Sequence, residues 1–324
     1  MASKVTQVSA ERSLKFLKEL GAELYEGDSA DELAVYWQRA LDNANPLWHY
    51  AQRSGFSNGD AHVMALIDSR LPELGFLGFY EAREVSVGGL MNEAETWLGK
   101  RGCKQIVGPF DGSILQRFRL SQNNGQKFPG EPINPTYYLN QWKEAGFKPF
   151  NHYVSGIRKD FGTVLSRVEQ KSQELPPGFR IRELDPENFE SEMKLAHRLS
   201  LEIFRGTSQY FVEYSWEEFA HWYLPRRSHI NPRYFEFLYY HDQPIGACHS
   251  FVHHNQLVIK TIGVLPEFQK HGAGGLLIYS QHIKAAEDNL DAAIYALVRV
   301  GNAVTKMTYP GVDIFRRYLT FEQT

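Results

Sequence analysis

The sequence predicts a mixed α+β protein built as two tandem domains around central mixed sheets. Three observations predict it: a breaker-rich seam near the middle, a hairpin-rich run ahead of a strand–glycine loop–helix unit in the second half, and a fainter copy of that unit in the first. The length of 324 residues suits two domains of ordinary size. With 43% hydrophobic and 14% aromatic residues there is material for two cores.

The seam is RVEQKSQELPPGF, a polar stretch ending in Pro176, Pro177 and Gly178, which interrupt regular structure. It divides the chain into 1–166, a linker at 167–178, and 179–324. After it, Phe179, Ile181 and Leu184 begin a short strand, and Asp185-Pro186 makes a turn. Glu187 to Ile203 reads as a helix because Phe189, Met193, Ala196 and Leu199 recur at spacings of three and four. A second helix surrounds Trp216, Phe219 and Trp222. Strands follow at Tyr234–Tyr240, Ile245–Val252 and Leu257–Val264, joined by hairpin loops at Asp242-Gln243 and His253-His254-Asn255. A glycine cluster opens a helix through Ala286, Ala292–Val300 forms a strand, and a short helix from Asn302 precedes an extended segment ending near Phe321.

Charge and cysteine content narrow the function. Thirty-five basic against 38 acidic side chains leave a formal charge of −3, which disfavours a general nucleic-acid binder. The two cysteines, Cys103 and Cys248, are too few for a disulfide scaffold or a four-cysteine zinc site, and read as small core residues in a reducing, cytoplasmic setting. No apolar run is long enough to span a membrane. His249, His253 and His254 have no cysteine nearby, so no metal is expected. Walker-type, dinucleotide-type and nucleophile-elbow patterns are absent.

The most informative stretch is LVIKTIGVLPEFQKHGAGGLLIY, Leu257 to Tyr279. Gly272, Gly274 and Gly275 allow close backbone approach, and the free amides of a helix start can hold an anion such as a pyrophosphate. The alternative is a glycine-rich helix start that packs tightly and binds nothing. Gln269-Lys270-His271-Gly272-Ala273-Gly274 resembles the Q/R-x-x-G-x-G/A coenzyme A loop of the GCN5-related N-acetyltransferase superfamily. Val264-Leu265-Pro266-Glu267 resembles that family's strand end. The resemblance implies that the loop from Gln269 to Gly275, with Asn302, serves the acyl-coenzyme A. It also implies that Ile262, Gly263 and Val264 face pantetheine. Asn302 and Tyr309 resemble the family's N-x6-Y spacing, in which the tyrosine protonates the departing thiolate. Pro310 and Gly311 stand where that family usually has G-F.

The first half carries R-x-x-S-x-G-G-L from Arg83 to Leu90 beside Q-x-x-G-x-G-G-L from Gln269 to Leu276, an offset of 186 residues. Trp142 to Phe147, W-K-E-A-G-F, resembles the family's aromatic-x-x-x-G-F ending. The chain therefore resembles a tandem pair with a degenerate first copy. There Ser86 replaces a loop glycine, and Glu81 and Glu84 oppose phosphate binding. The loop that follows is rich in glycine and proline. It contains Asp111, Arg117, Arg119, Asn134, Tyr137 and Tyr138, and either lines an acceptor cleft or seals the interface.

The resemblance implies acyl transfer from acetyl-coenzyme A, another acyl-coenzyme A or an acyl carrier protein to a small-molecule amine. A silent coenzyme A-binding or protein-interaction module is the alternative. Besides Tyr309, His249 and Glu236 are the candidate bases, and Trp216, Trp222, Tyr223, Arg226 and Arg227 are candidates for the acceptor site.

Overall fold

A computed structural model describes residues 4–323 except 124, 126, 163–164, 167–176, 207–209, 270–271 and 303–310. The first half runs β1 (Thr6–Val8), α1 (Ala10–Leu24), α2 (Asp28–Leu41), β2 (Ala51–Ser57), β3 (Ala61–Asp68), β4 (Leu74–Ala82), α3 (Gly88–Gly99), β5 (Gln105–Gly108), β6 (Leu120–Ser121), α4 (Tyr138–Glu144) and β7 (Lys148–Arg158). The second runs β8 (Phe179–Glu183), α5 (Phe189–Phe204), α6 (Trp216–Tyr223), β9 (Phe235–Tyr240), β10 (Gln243–His253), β11 (Gln256–Val264), α7 (Pro266–Gln269), α8 (Ala273–Glu287), β12 (Ala292–Arg299) and β13 (Asp313–Gln323).

The halves repeat one plan. In each, three antiparallel strands lead through a helix to a strand parallel to the third: β4 with β5, and β11 with β12. A parallel return needs a crossover, and α3 and α8 supply it. Both helices open on the glycines that carried the repeat in the sequence.

The mixed sheets of the two halves join in one continuous sheet, ordered β1-β2-β3-β4-β5-β13-β7-β12-β11-β10-β9-β8, with β6 on β13. The reason is an exchange of last strands. β7, from the first half, pairs antiparallel with β12 of the second, while β13, from the second half, pairs antiparallel with β5 of the first. β7 and β13 pair with each other along Asp313↔Ile157 to Glu322↔Lys148. Each half completes the other's sheet.

Three larger cores lie against the sheet. Leu90, Met91, Leu98, Trp142 and Phe321 pack in the first half, and Leu17, Trp37, Phe76 and Phe110 form a second cluster there. Met193, Leu199, Phe237, Leu257, Leu277 and Tyr295 fill the second half. Each such side chain, fully buried, contributes about 1.5–3 kcal/mol. The β10–β11 turn shifts to His254-Asn255, with φ of 47° and 57° at the two positions, the backbone a tight two-residue hairpin requires. That turn brings the His253 and His254 rings to within 4.0 Å rather than to opposite faces. Cys248 is buried and Cys103 half-buried, and neither forms a disulfide.

Candidate functional site

β11 and β12 pair from Gln256↔Ala292 only to Ile259↔Tyr295. Beyond that point they part. Thr261 to Val264 keep β10 on one side, while β12 turns to β7 through an irregularity at Ala296 and Leu297, the latter with φ 56°. A wedge opens between the two strands, with main-chain groups of β11 on one wall. At its far end stands the start of α8. Gly272 adopts φ +74°, a left-handed conformation that suits glycine. Among the described residues, a Cβ added there would meet nothing within 4 Å, and one at Gly274 would meet only a Val264 methyl at 3.7 Å. The Gly275 amide donates to the Gly272 carbonyl at 2.8 Å, while the Ala273 and Gly274 amides have no acceptor among the described residues. Open space, left-handed glycine and free amides fit a pyrophosphate.

The neighbouring expected residues hold this geometry. The Gln269 amide donates to the Val264 carbonyl at 3.0 Å and fixes the strand-to-loop corner. Gly263 lets α5 approach, since a Cβ there would lie 2.4 Å from an Ile203 methyl. Ile262 pairs with Cys248, and Ala273 and Gly275 are buried under the helix start. Asn302 is exposed just beyond β12, its amide on the Arg299 carbonyl at 3.1 Å. Lys270, His271 and Tyr309 lie outside the described residues.

The two candidate bases fall on opposite faces of the sheet. Glu236 pairs with Cys248, so His249 points the other way. Glu236 is fully buried beneath α8, where it accepts from Ser280 at 2.5 Å and Gln281 at 2.7 Å and pairs with Lys284 at 2.7 Å. These contacts occupy its oxygens, which corrects the expectation of a base: the carboxylate joins sheet to helix. His249 is partly buried beside Phe235, at 5.0 Å between rings, and Tyr223, at 6.4 Å. Its buried Nδ1 has no partner among the described residues. Burial first, then Lys260 and Arg226, push its pKa down to about 4, so the ring is neutral at neutral pH.

Lys260 escaped the sequence reading, because one lysine inside an apolar strand resembles any outward-facing position. It occupies the irregularity where the β10–β11 register shifts, at the point where β11 and β12 part. Its ammonium lies 3.3 Å from the Gly130 carbonyl. Burial, then Arg119 and Arg226, lower its pKa to about 7, against a partial offset from Glu131. Of the aromatic and arginine set, Trp222 is buried against Tyr36 of the first half at 5.8 Å, and Trp216 packs on His197 and Phe219. Arg227 donates to the Pro186 carbonyl. Tyr223 and Arg226 remain beside His249.

The first-half wedge is filled. Past Phe76↔Val107 the chain turns at Gly108-Pro109 and lays Phe110 and Asp111 against β4. The Phe110 amide donates to the Leu77 carbonyl at 2.9 Å, and Asp111 accepts the Phe79 amide at 2.6 Å. Tyr138 accepts the Ala82 amide at 2.8 Å, and Tyr137 donates to the Ala82 carbonyl. Glu81 does not line the loop. It is buried and accepts from Tyr25 and Tyr138, with Arg117 at 3.5 Å. Groups corresponding to the open wall of the second wedge are here satisfied from within.

The long loop divides between the two readings. Asp111, Arg117 and Tyr138 seal the first wedge, and Asn134 exchanges hydrogen bonds with Ser121. Arg119 lies toward the second wedge, stacked 4.3 Å from the Tyr153 ring. Glu131 pairs with Arg316 at 2.8 Å and accepts from Tyr318, tying the loop to β13. Two open hollows of about 440 and 450 Å³ flank Ser9 and Ala10 near β2 and α2 and do not reach the wedge. Among the described residues, no group of three or more His, Cys, Asp or Glu side chains is placed to hold a metal, and no helix is long and apolar enough to cross a membrane.

The fold is that of the GCN5-related N-acetyltransferases, with a tandem form among the similar structures. The chain is similar to a GCN5-related N-acetyltransferase from Sphaerobacter thermophilus, at 14% identity and TM-score 0.52 over 99% of this chain and 95% of that one. It is similar to a tandem GNAT protein from the clavulanic acid biosynthesis pathway, at 11% identity and TM-score 0.52 over 99% and 98%. A GCN5-related N-acetyltransferase from Kribbella flavida matches at 11% identity and TM-score 0.53 over 99% and 72%. No family model and no curated protein matches the chain.

Proposed function

We propose that the chain is an N-acyltransferase that uses an acyl-coenzyme A, acetyl-coenzyme A first among them, to acylate the amine of a small molecule in the second-half wedge. The observation that carries this reading is the parting of β11 and β12 after Ile259 and Tyr295, aligned with the open glycine start of α8. The cosubstrate supplies the activated acyl carbon. The amides of Ala273 and Gly274 bind its pyrophosphate, and main-chain groups of Thr261 to Val264 orient its arm.

The amine nitrogen forms a bond to the acyl carbon and the carbon–sulfur bond breaks. His249, neutral at neutral pH, takes the amine proton. Tyr309 gives a proton to the departing sulfur; a phenol with an ordinary pKa near 10 retains that proton at neutral pH. Domains at 1–166 and 179–324 belong to the same reading, the first a degenerate copy.

Calorimetric titration with coenzyme A tests it. The wild type is expected to bind, and Gly272→Glu, which puts a carboxylate where the pyrophosphate sits, is expected to lose at least tenfold in affinity. No binding by the wild type sinks the donor site. Binding without turnover on a broad amine panel marks a silent coenzyme A-binding module instead.

A further inference from the structure

Three basic side chains gather where β11 and β12 part, without a carboxylate partner among the described residues. Lys260 stands on β11, Arg226 on the short helical turn after α6, and Arg119 on the long loop of the first half. Arg119 and Arg226 each depress the Lys260 pKa, and Lys260 and Arg226 depress that of His249, so the four groups share one electrostatic neighbourhood. Among the described residues, none of the three cations has a carboxylate within 4.0 Å. Arg70, by contrast, is paired with Asp68 and Glu218, and Arg316 with Glu131. Glu131 is the acid that partly offsets the Lys260 shift, and Arg316 and Tyr318 already hold it.

Two buried nitrogens sharpen the point. Nδ1 of His249 and Nε of Arg119 have no partner among the described residues. A polar ligand entering here would give both nitrogens a partner. Arg119 also holds φ +94°, a backbone conformation unusual for a residue with a side chain. The phosphates of the donor do not account for this charge. Four residues of extended strand, roughly 13 Å at about 3.3 Å per residue, separate Lys260 from the end of β11, beyond which the glycine loop begins.

We propose that the amine acceptor carries a carboxylate, and that Lys260, Arg226 and Arg119 bind that carboxylate beside His249. This inference rests on the acyl-transfer reading and names the substrate class of its site: amino acids and short peptides rather than polyamines or neutral amino sugars. A guanidinium recognises the planar carboxylate through a fork of donors. The carboxylate partners the cations, and its tether sets the amine near the neutral imidazole.

The test compares the twenty amino acids with their carboxamides, each set as a mixture, in a thiol-release assay with acetyl-coenzyme A. A charge-assisted contact predicts about tenfold to a hundredfold higher kcat/KM for the acids, a gap that closes in Arg226→Gln and narrows in Lys260→Gln. Arg226→Gln is expected to retain coenzyme A affinity, which separates failure of this inference from failure of the donor site. A carboxamide set that reacts as well as the acids, or a panel in which spermidine is the better acceptor, overturns the inference with acyl transfer intact. Thermal melting with the acid mixture gives a readout that needs no turnover. A rise in wild-type Tm that Arg226→Gln abolishes supports the carboxylate site, and no rise in the wild type overturns it.

Discussion

Single side chains in this protein are placed by what they cost to bury. Glu236 and His249 sit one register step apart, and that step decides their roles: one carboxylate disappears under α8 against Lys284, and one imidazole faces the wedge. The same accounting gives a pH prediction. His62 and His282 are fully buried, and burial pushes each pKa down to about 4. His282 bridges the Ile278 carbonyl and the Tyr295 hydroxyl, and His62 meets the Phe79 carbonyl. In the unfolded chain both titrate near 6.5, so between pH 6.5 and 4 the unfolded state binds more protons and stability falls as the pH falls. Urea midpoints at pH 7 and pH 5 are expected to differ by on the order of 2–4 kcal/mol in unfolding free energy, with a smaller difference in His282→Phe. Equal midpoints, with both rings titrating near 6.5 by NMR, would contradict the buried neutral state.

At the scale of elements, strands, helices and loops differ in how legible they were. Periodicity placed α5 to within two residues at its N-terminus, and the glycine-rich string marked the start of α8, because a left-handed Gly272 and a close-packed Gly263 leave a compositional trace. The filling of the first wedge left no such trace. It depends on Phe110 and Asp111 lying against β4, with Gly78 so close that a Cβ would come within 2.2 Å of the Phe110 carbonyl. Residues 32 apart in sequence meet there, and no local pattern records it. Lys260 was missed for the same reason, since its neighbours Arg119 and Gly130 come from the other half. The filled wedge makes a countable prediction: calorimetry is expected to find one coenzyme A per chain. A stoichiometry of two would show that the Phe110–Asp111 segment yields to ligand.

For the molecule as a whole, the sheet is the unit of stability. β13 fills the gap between β5 and β7, so cutting the chain near Gly178 removes a central strand from one piece and leaves β12 without β7 in the other. Neither fragment is expected to show dispersed amide resonances alone, whereas mixing them restores the spectrum and the intact chain unfolds in a single cooperative transition. A well-folded isolated fragment 179–324 would contradict this. The exchange also sets a clock on synthesis. β5 ends at Gly108, and the strand that covers its open edge begins at Asp313. At about 5–20 residues per second, the ribosome needs roughly 10–40 s to make what lies between. Through that interval the nascent first half presents an uncapped sheet edge, a template for the wrong strand as readily as the right one. Any factor that slows elongation across the second half lengthens that exposure.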